Sequence, residues 1–231
     1  MEVDMTGTVL LEEFHDDGAK AGVLIRKFVG QDLDSIMTVR FGDHLLRLVQ
    51  HTEFAGPTGP EWRSFTYIGH NETTSASCSA DGIVTVSGKA MPALERAVPS
   101  YAAVRILLDF LAGKQRETTY REFLEGDLTV YDARLIRLGK ESVETPTGTV
   151  EATRIELHRG STLANTFWEQ DGHLVASDWN GAMSYPSTTA TRSSRGYTPM
   201  SSRPLTTSWL ADAPARTRSV ANSKRMEHPP R

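Results

Sequence analysis

The chain has one cysteine, Cys78, among 231 residues, so no internal disulfide can form. A fold of this length must hold itself together by its core, and the reducing cytoplasm is the expected compartment. Long apolar runs are missing too. No stretch approaches the roughly 20 apolar residues that cross a bilayer, and the opening "MEVDMTGTVLLEEF" places acids where a secretory signal needs a basic flank. No transmembrane segment is expected. The phosphate-binding patterns Gly-x-Gly-x-x-Gly and Gly-x-x-x-x-Gly-Lys, the Gly-x-Ser-x-Gly elbow and the His-Glu-x-x-His helix are all absent. Their absence sets aside nucleotide enzymes and standard hydrolases, and no cofactor is expected. Seven histidines (His15, His44, His51, His70, His158, His173 and His228) show no short ligand spacing, so no metal is expected.

Positive charge is scarce where it would matter for nucleic acid. Residues 186–231 carry eight Lys/Arg against Asp212 and Glu227, so of the net −4 a charge of −10 falls on residues 1–185. An acidic body offers no groove for phosphates, and the tail arginines are scattered singly, so no specific nucleic-acid role is expected.

What is present is a series of β-type runs. "GTVLLEEF" and "AGVLIRKFVG" flank the turn-forming "HDDGAK", and "SIMTVRFG", "HLLRLVQHTEF", "EWRSFTYIG" and "GIVTVSG" follow at hairpin spacing. After them come "RETTYREFLEG", "LTVYDARLIRLGKESVET", "GTVEATRIELHRG", "LANTFWEQ" and "HLVASDWNG". About ten strands joined this closely predict an antiparallel meander, because parallel neighbours need long crossovers. One helix interrupts them, predicted over 99–112 from Val104, Leu107, Leu108 and Leu111 at helical spacing, with Gly113 as its stop. Its wide apolar face predicts a helix packed across the sheet or plugging its end. The expected fold is mainly β: one antiparallel barrel or curled half-barrel over 1–185, then a basic Ser/Thr/Pro/Arg-rich tail over 186–231 without order.

Within the second half, Thr145, Pro146, Gly148, Arg154, Ile155, Glu156, Trp168, Asp171 and Gly172 resemble a pattern of bacterial β-rich domains of unknown function and related lipoprotein-like proteins. The resemblance implies a lipocalin-like or lipoprotein-carrier-like barrel around an apolar cavity, with no catalytic residues to carry over.

Two functions fit such a scaffold. The first is binding of a hydrophobic small molecule, with Trp168, Trp179, Tyr120, Phe110 and Leu107 as cavity wall. The second is a cofactor-free cyclase or isomerase of secondary metabolism, acting on a polyketide- or terpenoid-like substrate. There Glu156, His158, Arg154 and Tyr131 would move protons, provided that their strand face looks inward and burial raises the Glu156 pKa. Facing outward, Arg154, Glu156 and His158 would instead be a salt-bridge ladder. A protein-interaction module is the third class, and a homodimer is left open.

Overall fold

In the computed structural model, which describes residues 7–69 and 72–187 and of Phe41 only the backbone, turn chemistry sets the connectivity. Asp17 and Gly18, at φ 48° and 77°, make the tight turn between β1 (Val9–Asp16) and β2 (Ala19–Val29). Two successive positive φ values match the twist of the flanking strands, and Asp-Gly adopts them readily. Asp171 and Gly172 (53° and 81°) repeat the device between β13 (Thr162–Gln170) and β14 (His173–Asp178). At the tip of β11 (Val130–Thr145) and β12 (Gly148–Arg159), Thr145 stands opposite Gly148, and its Oγ1 donates to the Gly148 carbonyl at 2.7 Å.

The remaining strands are β3 (Asp32–Phe41), β4 (His44–Phe54), β5 (Trp62–Ile68), β6 (Thr73–Cys78), β7 (Val84–Val86), β8 (Lys89–Ala90), β9 (Ala97–Pro99), β10 (Glu117–Phe123) and β15 (Met183–Pro186). They form a single 15-stranded sheet that runs in chain order from β8 back to β1 and from β15 back to β9. The first and last strands pair antiparallel, from Glu12 opposite Pro186 to His15 opposite Met183. The sheet is therefore a meander returned onto itself and left open at one place, between β8 and β9. This is the curled antiparallel β fold expected from the strand pattern, with one departure. β9 runs parallel to β10, and α1 (Val104–Ala112) lies in the connection that parallel pairing demands.

The helix begins at Val104 rather than at the predicted residue 99. Residues 97–99 are drawn into β9 opposite 121–123, and the Ser100 hydroxyl is taken by Glu125 instead of capping the helix. Gly113 ends the helix in extended geometry, φ −85°, so no left-handed residue is needed there.

α1 fills the curl of the sheet. Val104 packs in one cluster with Phe28, Phe54, Phe65 and Phe123, while Leu107, Phe110 and Leu111 pack in another with Leu135, Ile155, Leu157 and Phe167. Each such side chain, fully buried, contributes roughly 2 kcal/mol. Arg105 lies among them at 1% exposure, its Nη1 donating to the carbonyls of Gly56 and Gly59 and its guanidinium 3.6 Å from the Phe54 ring centre. Across the open place, Trp62 Nε1 donates to the Ala97 carbonyl at 2.8 Å, and the rings of Trp62, Phe65 and Phe123 pack on one another. Side chains, not a backbone ladder, hold β5 against β9 and β10.

The tail expected from residue 186 lies, from residue 188 onward, outside the described residues, as do His70, Asn71 and His228. Among the described residues no helix is long and apolar enough to cross a membrane.

Candidate functional site

Alternation along β12 decides where the predicted polar cluster goes. Ile155 and Leu157 face α1, so Arg154, Glu156 and His158 face the other way. Arg154 Nη2 donates to Glu156 Oε1 at 2.7 Å, and His158 Nε2 lies 2.8 Å from Glu156 Oε2. Glu141 adds a rung from β11, 3.6 Å from Arg154 and accepting from Trp168 Nε1 at 2.7 Å. The arrangement is the outward ladder, and the inward alternative with a raised Glu156 pKa is overturned. Its hydrogen bond with His158, and after it the Arg154 charge, hold the carboxyl below its ordinary value. Tyr131 shares its face with Ala133 and Leu135 and is not gathered with the other three. Trp168 belongs to the ladder, and Phe110 is sealed in the core with Arg137 over its ring. Leu107, Tyr120 and Trp179 do reach the interior cavity.

That cavity has two parts, a chamber of about 490 Å³ and a deeper recess of about 50 Å³. Arg26, Ser100, Arg159, Asn165 and Trp179 line both and so mark the junction. The chamber adds Tyr67, Tyr101 and Glu125, with the exposed Glu72 and Asp127 at its rim. The recess is apolar at its base, walled by Leu107, Leu135, Leu157, Phe167 and Leu174.

The walls carry more charge than a β interior normally tolerates. Arg26 (5% exposed) donates to Glu12 (4%), whose other oxygen accepts from Ser184 at 2.8 Å. Arg159 donates through Nε to Glu122, which is 0% exposed. Trp179 is fixed by its own bond to Ser184 at 2.9 Å and carries the Arg26 guanidinium 5.6 Å from its ring centre. Burying ionised groups costs desolvation that apolar replacements avoid, so one buried pair and one half-buried pair on one cavity point to a use other than stability.

Glu125 is the third buried acid. It accepts from Ser100 Oγ at 2.7 Å, from the Tyr101 backbone N–H at 2.9 Å and from Gln50 Nε2 at 3.1 Å. Burial nevertheless pushes its carboxyl up to about 7, with the nearby Glu122 charge adding to the rise. Burial, with Glu125 beside it, also raises the Tyr101 phenol, and burial with Glu72 and Glu125 raises that of Tyr67. The site can hold a molecule by hydrogen bonds and ring contacts, and it has one carboxyl poised to exchange a proton near neutrality.

Sequence reasoning missed Arg26, Glu12, Glu122, Glu125, Arg159 and Asn165. A signal was present for two of them: Arg26 sits between Leu24 and Phe28, and Glu12 between Leu10 and Phe14, each charge on an inward-facing position of an alternating strand. Among the described residues no group of three or more His, Cys, Asp or Glu is placed to hold a metal ion.

No family model matches the chain, and no curated protein sequence does. Among solved structures it is similar to a β-barrel-like protein of domain of unknown function DUF1849 from Brucella abortus, at 10% identity and TM-score 0.48 over 77% of this chain and 92% of that one. It is also similar to a DUF1089 family protein from Pseudomonas aeruginosa, at 14% identity and TM-score 0.43 over 71% of this chain and 91% of that one.

Proposed function

We propose that the protein binds a small molecule inside the curled sheet, in the manner of a lipocalin-like carrier, with the ligand's body in the chamber and its inner end at the junction with the recess. The observation that carries this reading is a cavity of about 490 Å³ walled by side chains that a folded core would otherwise exclude. That volume suits a metabolite-sized ligand. The wholly hydrophobic ligand suggested by sequence fits less well. An apolar occupant would strip water from Arg26, Asn165 and Glu125 without replacing its hydrogen bonds, at roughly 1–3 kcal/mol for each group left unpaired. The lone Cys78 supports a reducing, cytoplasmic setting.

Native mass spectrometry of the gently purified full chain tests the reading. A stoichiometric adduct that disappears on denaturation is the expected result. A bare mass, together with no thermal shift from any fraction of a small-molecule extract, would sink it.

Glu125 favours one second reading, a cofactor-independent isomerase or cyclase in which this carboxyl, rather than Glu156, moves the proton. Glu125→Gln separates the two. Under the carrier reading the adduct persists and neither protein converts it, whereas under the enzymatic one the adduct persists but only the unsubstituted protein converts it.

A further inference from the structure

The junction between chamber and recess has hydrogen-bond donors to offer and few acceptors free to receive one. Glu12 uses both oxygens, on Arg26 and Ser184. Glu122 receives Arg159 and, at 3.4 Å, the Tyr120 hydroxyl. Glu125 receives three donors, among them the hydroxyl of Ser100. The arginines, by contrast, are each hydrogen-bonded through one nitrogen among the described residues. There Arg159 uses Nε, leaving both terminal nitrogens of its fork. Arg26 uses Nη1, and its buried Nε has no hydrogen-bond partner among them. Asn165 is 6% exposed, lines both parts of the cavity, and its amide makes no hydrogen bond within the described residues.

We infer that this junction is a subsite for a carboxylate, held by Arg26, Arg159 and Asn165, so that the ligand is a small organic acid with its body against Tyr101 and Trp179. The inference rests on the reading that the cavity binds a small molecule and adds the class of that molecule. Guanidinium forks match the two oxygens of a carboxylate, and charge-assisted bonds of this kind are about twice as strong as neutral ones. Glu12 and Glu122 are positioning residues, each fixing a guanidinium through one of its nitrogens and taking none of the others among the described residues. Glu72 and Asp127 at the rim repel an incoming anion, but both are exposed and screened by salt and water. Their effect falls on entry, not on the bound state.

Three probes with one carbon skeleton test the assignment: 3-phenylpropionate, 3-phenylpropanol and 3-phenylpropylamine, titrated calorimetrically into the full chain. The carboxylate is expected to bind about tenfold or more tightly than the alcohol, with the amine weakest, because charge-assisted donors discriminate by charge. Asn165→Ala removes no hydrogen bond among the described residues, so its melting temperature should move little while the carboxylate's advantage over the alcohol shrinks severalfold. If the alcohol or the amine binds as well as the acid, the carboxylate assignment is overturned while the cavity reading stands. If none of the three binds up to its solubility limit, the carboxylate assignment falls, while the cavity reading stands or falls with the native-mass adduct. An advantage for the acid that survives unchanged in Asn165→Ala would remove the junction from the assignment.

Discussion

Burying the Glu125 carboxyl behind Ser100, Tyr101 and Gln50 makes the folded chain keep a proton that the unfolded chain releases. Because the folded value is raised, from 4.5 to about 7, the stabilisation is complete below pH 4.5 and fades as pH rises through 7. This carboxyl alone should cost the fold roughly 3 kcal/mol between those limits. Urea unfolding at pH 5, 6, 7 and 8 should show that decline, and Glu125→Gln should flatten it; equal slopes in both proteins would assign the pH dependence elsewhere. Legibility at this scale was uneven for a physical reason. Arg154, Glu156 and His158 could be read together because one strand carries them at alternate positions. The cavity's charges come singly from β1, β2, β10 and β12, its amide from β13, and they meet only when the sheet curls. Trp179 and Leu107 could be picked out because aromatic and helical-apolar positions have few other destinations.

Close approach between neighbouring strands sets the tolerance of each element. A Cβ at Gly22 on β2 would sit 2.2 Å from the Thr38 carbonyl and 2.5 Å from Val39 Cα, both backbone atoms of β3 that cannot step aside. Gly22→Ala should therefore cost about 3 kcal/mol, the upper range for overpacking. Gly139, beside the irregularity in the β11–β12 pairing, has nothing within 4 Å of such an atom. Alanine there should change stability by less than about 0.5 kcal/mol, and denaturant midpoints of the two variants measured side by side would expose an error in either direction. The hairpins legible in the sequence, Asp17-Gly18, Asp171-Gly172 and Thr145 to Gly148, share turn residues whose φ preferences leave little choice. β6 was not legible, because "TTSASC" has no apolar alternation and pairs through its backbone with β5. β9 and β15 are three and four residues long, too short for any period to show, and tertiary pairing alone makes them strands.

At the scale of the molecule the curl is secured where the backbone ladder stops. Trp62→Phe keeps the aromatic packing against Phe65 and Phe123 but leaves the Ala97 carbonyl without its donor. A loss of roughly 1–3 kcal/mol is expected, the range for a buried group left unsatisfied. Hydrogen exchange should quicken in residues 97–99 before it does in β3 and β4; uniform acceleration would mean that the junction is not a separate weak point. The general architecture was legible because closely spaced strands permit little besides a meander. The place where the meander opens was not, since it depends on which strand α1 returns to. The pairing of β1 with β15 has a temporal consequence. During synthesis the opening strand can join β2 early, yet its other edge waits for the segment Met183–Pro186, more than 160 residues later. Contacts this remote in sequence form slowly. For all of that interval every newborn chain shows an unmatched strand edge to its neighbours, so crowding of partly made copies is the moment at which this protein is most exposed to aggregation.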